Sequence, residues 1–320
     1  MHLSDSEESR QPIVMVALGG NALVRKGQSG TIEEQFENLE VPVRQIARLS
    51  SRYRIIVTHG NGPQVGHLLL QQETSSTALP RLPLEILVAQ TQGQIGYMIE
   101  STLDNVFMEM GLSGLKRFVT ILSYVVVDEN DPAFSRPSKP IGPVFSADAA
   151  ASLPYPTVET PRGFRRVVAS PLPLSIVERH EIGALLDMDF IVIACGGGGI
   201  PVIRDNRGFH GVDAVIDKDL ASAVLALEVG VDFLIIATDV AGAVLSYGTR
   251  DERLLRRLST AEAGRYAREG HFPSGSMGPK IEAAVRFLDG GGRRAVITSL
   301  DAIEAAVEGT AGTELFLSES

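Results

Sequence analysis

Only five lysines stand among the 29 basic residues of this 320-residue chain, so arginine is its ordinary cation and each lysine invites inspection. Three of the five stand out by their surroundings: Lys139 in Pro137-Ser-Lys-Pro-Ile-Gly-Pro143, Lys218 at a predicted helix start directly after Ile216-Asp217, and Lys280 in Ser276-Met-Gly-Pro-Lys280. An ammonium is a compact, mobile point charge where a guanidinium is a rigid fork, and a phosphoryl group passing between two oxygens suits the former. Taken singly, each lysine reads as well as a solvated surface cation; taken together they favour function. Asp217 and Asp219 flank Lys218. One carboxylate suits an ion pair that orients the lysines and the other the positive end of a helix, with Asp219 the better placed for orientation.

Three glycine turns stand where an anion would sit: Gly19-Gly20-Asn21, Gly60-Asn61-Gly62 and Gly196-Gly197-Gly198-Gly199. Each follows an apolar, β-branched run, and beyond the C-terminal ends of parallel strands glycine lets backbone N–H groups approach a ligand while helix N-termini add positive dipole. One such turn is as readily a tight bend, but three on successive strand ends imply a shared anion cradle. Cations plus a cradle suit phosphoryl transfer, which asks for positioning and charge neutralisation and little covalent work by the protein. A cation ~4 Å from a phosphoryl oxygen is worth ~4 kcal/mol at an effective dielectric of ~20.

Other chemistries find less support. No lysine is followed by Ser or Thr, so the phosphate loop of P-loop NTPases is absent, and Gly60–Gly66 misses the dinucleotide fingerprint by one residue and carries Pro63. His59 reads as structural, His180 and His271 lack partners at metal-ligand spacing, and no G-x-S-x-G elbow occurs. No protein ligand to a metal is expected. Cys195, the lone cysteine, ends an apolar strand and reads as a buried thiol in a reducing, cytoplasmic compartment. A net charge of −10 argues against a nucleic-acid partner, and no apolar run is long enough to span a membrane.

The elements that must hold these residues alternate as strands and helices of a largely parallel α/β sheet. Strands are predicted at Ile13–Leu18, Arg54–Thr58, Arg117–Val127, Arg166–Ala169, Phe190–Cys195, Phe233–Thr238, Val244–Tyr247 and Ala295–Thr298, with a hairpin over Ile200–Gly211. Helices are predicted from Ile32 to Leu49 with a kink at Pro42, from Pro63 to about Gln72, and from Leu84 to Met110. Others follow over Ser175–Asp187, Lys218–Glu228, Pro279–Leu288 and Asp301–Val307, and Ser259 with Glu262 has capping-box spacing for one ending near Arg268. Residues 1–11 read as a disordered lead-in, 12–320 as one domain, and the proline-rich stretch 128–165 as a protruding lobe.

These segments together resemble the carbamate kinases of the amino acid kinase fold. The resemblance rests on Val16-Ala-Leu-Gly-Gly-Asn-Ala22, His59-Gly-Asn-Gly-Pro-Gln-Val-Gly66, Thr91-Gln-Gly-Gln-Ile-Gly-Tyr97, Lys139-Pro-Ile-Gly-Pro143, Cys195-Gly-Gly-Gly-Gly-Ile-Pro201, Val215-Ile-Asp-Lys-Asp219 and Gly275-Ser-Met-Gly-Pro-Lys280. It implies a three-layer αβα sandwich in which 12–210 serve mainly the acceptor and 211–320 mainly the nucleotide. It implies that Lys139, Lys218 and Lys280 contact the transferring phosphoryl group, with Asp219 orienting lysines. Gly19, Gly20, Asn21, Gly60, Asn61, Gly62 and Gly196, Gly197, Gly198 and Gly199 would hold carbamate and phosphate. Thr238, Asp239, Tyr247, Met277, Gly278 and Pro279 would line the nucleotide. The implied reaction is reversible transfer between carbamoyl phosphate and ADP, giving ATP and carbamate, with Mg²⁺ held mainly on nucleotide phosphates, in a homodimer of arginine metabolism. The alternatives are another small carboxylate or phosphonate acceptor, or a catalytically silent nucleotide-binding regulatory subunit. Leu172, where relatives often carry lysine, and Ala241, in place of a common aspartate, depart from the pattern.

Overall fold

The structure is a computed structural model that describes residues 10–74, 80–160, 163–273 and 275–318; of the lead-in expected over 1–11, all but Arg10 and Gln11 lies outside the described residues. The first half of the chain runs through β1 (Ile13–Leu18), α1 (Ile32–Leu49), β2 (Arg54–His59), α2 (Gly62–Thr74), α3 (Leu84–Glu109), β3 (Arg117–Thr120) and β4 (Tyr124–Val126). Next come β5 (Lys139–Phe145), α4 (Ala147–Ala151), β6 (Thr157–Thr160), β7 (Gly163–Val168), β8 (Ser175–Ile176), α5 (Arg179–Asp187), β9 (Phe190–Ile193), β10 (Ile200–Asp205) and β11 (Gly208–Gly211). The last third holds α6 (Lys218–Glu228), β12 (Phe233–Thr238), β13 (Val244–Leu245), β14 (Arg253–Leu254), β15 (Arg257–Ser259), α7 (Thr260–Arg268), α8 (Met277–Asp289), β16 (Arg294–Ser299), α9 (Ile303–Val307) and β17 (Thr313–Phe316).

Eight strands form the main sheet in the order β15-β17-β16-β12-β1-β2-β9-β3. Every pairing from β16 to β3 is parallel, and β17 alone runs antiparallel to its neighbour β16. The central strand β1 shows why both faces must be covered. Side chains alternate along a strand, so Ile13, Met15 and Ala17 feed one core while Val14, Val16 and Leu18 feed the other, and all six are buried. Residues of α5, α6 and α8 close the first core and residues of α1, α3 and α9 the second, which makes a three-layer αβα sandwich. Parallel strands require such crossover helices on both faces.

Local chemistry explains the helix that opens the first unit. Thr31 accepts from the Glu34 N–H while the Glu34 carboxylate accepts from the Thr31 N–H, a reciprocal capping box. Leu39, Val43 and Ile46 then bury one face. Pro42 falls inside α1, which runs as one element from Ile32 to Leu49, because the buried stripe on either side outweighs the single hydrogen bond that proline deletes.

The strand expected over Arg117–Val127 is two strands in two sheets. Gln92 reaches in from α3, its Oε1 accepting from the Ser123 N–H at 2.9 Å and its Nε2 donating to the Ser123 carbonyl at 3.3 Å, and this turns the chain between them. β4 thus joins a second sheet of order β11-β10-β4-β8. The helix expected from Ser175 begins at Arg179, since β8 forms first against β4, with the Ile176 N–H donating to Glu228. The proline-rich stretch is not structureless: β5, β7 and β6 make a separate three-stranded antiparallel sheet with α4. It rests on α2 through Gly66 and Gly142, whose backbones meet directly because neither carries a side chain. Gly142 also takes the left-handed φ of +71° that favours glycine.

Candidate active site

The C-terminal ends of β1, β2 and β12 and the N-terminus of α6 gather the residues singled out above. Gly19 N–H donates to the Ala237 carbonyl at 2.8 Å and Gly60 N–H to the Leu18 carbonyl at 3.1 Å, which fastens the first two glycine turns to neighbouring strands. A Cβ on Gly60 would lie 3.3 Å from the Gly20 nitrogen and 3.6 Å from Lys218 Cδ, so both turns and the stem of Lys218 are in contact. The third turn closes against them from behind. Gly196 packs on the His59 ring, Gly197 on the Asn61 amide, and a Cβ on Gly198 would stand 2.5 Å from the Ile216 carbonyl.

Asn61 is 5% exposed, and its Nδ2 donates to Thr91 Oγ1 at 2.9 Å. Its side chain therefore faces inward and braces the turns. Gly62 is the first residue of α2 and Lys218 the first of α6, so both helix N-termini lie at this end of the sheet and add positive dipole there.

All three singled-out lysines meet here on two carboxylates. Asp219 is the hub of the first group: one oxygen pairs with the Lys218 ammonium, and Oδ2 accepts from Lys280 Nζ at 3.0 Å. Lys139, from the first residue of β5, pairs with Asp217 Oδ2. The other oxygen of Asp217 accepts from the N–H of Asp219 at 2.9 Å and of Leu220 at 3.4 Å, capping α6.

Burial decides the electrostatics. It would raise the Asp219 carboxyl, but the charges of Lys218 and Lys280 and their hydrogen bonds overcome it and hold the group well below the usual carboxylate range. Burial pushes the Lys218 ammonium down against the attraction of Asp219, with Lys280 adding repulsion. Burial also opposes the charge on Lys280, yet Asp219 overcomes it and lifts that group above its ordinary value. His59, wholly enclosed and beside Lys218, is brought down to about 4 by burial and stays neutral near pH 7. Its Nδ1 lies 3.1 Å from the Gly60 carbonyl, an acceptor only, so Nδ1 carries the proton. Burial likewise pushes the Cys195 thiol up to about 12.

Beside the lysines lies a cleft of about 320 Å³ walled by Gly19, Gly20, Asn21, Thr238, Asp239, Tyr247, Met277 and Lys280, all singled out from sequence. Gly278 and Pro279 sit in the first turn of α8 and are not among its walls. Sequence reasoning missed Val240, Gly242, Val244, His271 and Pro273, which also line it. His271 lacks metal-ligand spacing, and the signal it does carry is its place five residues before the Ser276-Met-Gly-Pro motif. Leu172 is exposed, its N–H donating to Asp131, and Ala241 is exposed too; neither faces the cleft. Among the described residues no cluster of three or more His, Cys, Asp or Glu side chains is arranged to hold a metal ion.

Residues 12–299 match the model of the amino acid kinase family. The carbamate kinase of Thermococcus kodakarensis is 48% identical over 311 residues, covering 94% of this chain and 98% of that protein. Carbamate kinase from Giardia lamblia bound to citric acid superposes with a TM-score of 0.90 at 38% identity, over 96% of this chain and 99% of that one. The Giardia lamblia enzyme bound to AMP-PNP gives a TM-score of 0.86 at 39% identity, over the same shares.

Proposed function

The chain belongs to the carbamate kinases of the amino acid kinase family, and from that premise we infer that it transfers a phosphoryl group reversibly between carbamoyl phosphate and ADP, giving ATP and carbamate. The observation that carries the reading is the convergence of Lys139, Lys218 and Lys280 on Asp217 and Asp219 beside an open cleft. Three cations drawn from distant parts of the chain have no structural need of one another. Two anions that must meet in line supply the need.

In this reading the nucleotide lies in the cleft, between the turn that ends β12 at Thr238-Asp239 and the start of α8 at Met277, Gly278 and Pro279, with Tyr247 at the rim. The acceptor phosphate lies toward the turns at Gly19–Asn21, Gly60–Gly62 and Gly196–Gly199, where α2 and α6 present their N-termini. Lys218 and Lys280 neutralise the oxygens of the transferring group, and Asp219 fixes both ammonium groups before substrate arrives. That preorganisation is what makes a charge stabiliser effective in a water-poor site. The division of labour follows: 12–210 serve mainly the acceptor, 211–320 mainly the nucleotide, and the 128–165 lobe brings Lys139.

Mg²⁺ fits this site as an ion carried on the nucleotide phosphates, because Asp217 and Asp219 are already engaged by lysines. Bound there, it would offset phosphate charge. We further propose a cytoplasmic homodimer: the lone cysteine is buried and unpaired, and α3 exposes Ile86, Tyr97 and Met108. No described helix is long and apolar enough to cross a membrane.

The test is formation of ATP from ADP with carbamoyl phosphate, run beside acetyl phosphate. Rapid ATP formation with the first and little with the second is expected. ATP from neither donor overturns the reading, and a preference for acetyl phosphate moves it to another small acceptor.

A further inference from the structure

We propose that Asp217 is a positioning residue for this reaction, tying the Lys139 ammonium of the lobe to the helix N-terminus that carries Lys218. The proposal rests on the phosphoryl-transfer reading above. Its basis is the division of labour between the two oxygens of one carboxylate. One oxygen caps α6 by accepting from the Asp219 and Leu220 amides, which fixes the carboxylate in rotation and depth. The other faces outward to Lys139, 78 positions away in sequence.

A cap needs only one oxygen, and Ser, Thr or Asn supplies it as well as Asp. Capping therefore does not account for a full charge at a position 8% exposed, where an unpaired carboxylate would be costly. A charged partner accounts for it, and Lys139 is the cation bonded to it. Because Asp217 and Lys218 are consecutive, the pair sets the height of the lobe's ammonium against the two lysines held by Asp219. Lys139 is the first residue of β5, and β5 sits on α2. Closing this one contact registers the lobe to both helix N-termini at once.

Asp217→Asn isolates the claim, since asparagine keeps the capping oxygen and removes the charge. The expected result is a fall in kcat of about tenfold, the loss of one partly exposed charge contact, with the KM for ADP and the melting temperature close to wild type. Made in a Lys139→Ala background, the same substitution should cost almost nothing more, and Asp217→Glu should recover part of the turnover. A second readout does not depend on turnover: acetic anhydride should label Lys139 several-fold faster in Asp217→Asn than in wild type, read by mass spectrometry with Lys26 as the internal standard. Equal labelling overturns the proposal whatever the enzyme's activity. So does an undiminished kcat loss in the Lys139→Ala background, which would assign Asp217 to the general field felt by Lys218 and Lys280. If wild type makes no ATP, it is the reading of function that fails, and the labelling result still decides the tether.

Discussion

The body and the lobe deliver the same kind of charge by different means. Lys218 and Lys280 begin or nearly begin helices packed on the main sheet, and their side chains are 10% and 13% exposed; Lys139 starts a strand of the small sheet and is 35% exposed. The platforms differ in the same sense. Every residue of β1 is buried, whereas Ile141 is the only buried residue of β5. The body spends a hydrophobic core on holding two cations fixed, and the lobe is held by a backbone contact between glycines, a small apolar patch, the Lys139–Asp217 pair, and Glu73 of α2, which pairs with Arg166 and accepts from the Tyr155 hydroxyl at 3.1 Å. Immobile charges suit the transition state, and a charge on a lightly anchored element suits substrates that must enter and leave.

The largest effect should fall on the body. Replacing Lys218 or Lys280 with alanine is expected to lower kcat by about 10²–10³-fold, the scale for deleting one preorganised charge stabiliser, while far-ultraviolet circular dichroism stays native. Near-wild-type turnover in both variants would falsify the assignment of this pair.

Next in size is a test of how dry the body's site is. Burial brings His59 down to about 4, well below a free imidazole. Between about pH 6.5 and 4 the unfolded chain binds that proton and the native one does not, so native stability falls as pH drops through this window, by up to about 3 kcal/mol. Denaturant titrations of His59→Gln should show that part of the acid slope removed. An unchanged slope would mean that the pocket around His59 is hydrated and the contrast with the lobe is overdrawn.

The lobe's share comes third. Lys139→Ala should reduce kcat by about tenfold, or ~1.4 kcal/mol of barrier, and leave the melting temperature in place. A drop as deep as that of Lys218→Ala would erase the distinction between anchored and lightly held cations. Smallest is a control far from the lysines. Ser259 caps α7 by accepting from the Glu262 N–H, and Ser259→Ala should cost about 1 kcal/mol of stability with no change in turnover.

Much of this contrast was legible before any coordinates. The strands β1, β2, β9, β12 and β16 declare themselves as short β-branched runs ending in turns, and the scarcity of lysine pointed to the cations that meet at the site. Local signals also gave the capping box at Ser259 and the helix from Lys218. What escaped depended on long-range partners. The split between β3 and β4 is made by Gln92, which replaces a strand pairing with its own amide at Ser123. The late start of α5 follows from Glu228, 52 positions beyond Ile176. The short edge strand β15 and its neighbour β17 exist through each other and through β16, and runs of three or four residues carry too little pattern to announce that. Asp217 was legible as a carboxylate suited to the positive end of a helix. Its bond to Lys139 was not, because nothing in a sequence states which way a lobe folds back.

Cys195 stands two residues beyond β9 in the left-handed conformation, φ 49°, with its N–H donating to Ser123 Oγ at 2.9 Å and its thiol fully enclosed. A sulfur so placed is screened from electrophiles and, protonated at any working pH, is a poor nucleophile. The native protein should therefore give almost no signal with maleimide dyes. A cysteine introduced at an exposed lobe position such as Val158 could then carry a fluorophore without first removing the natural thiol, and lobe movement could be followed in otherwise wild-type enzyme.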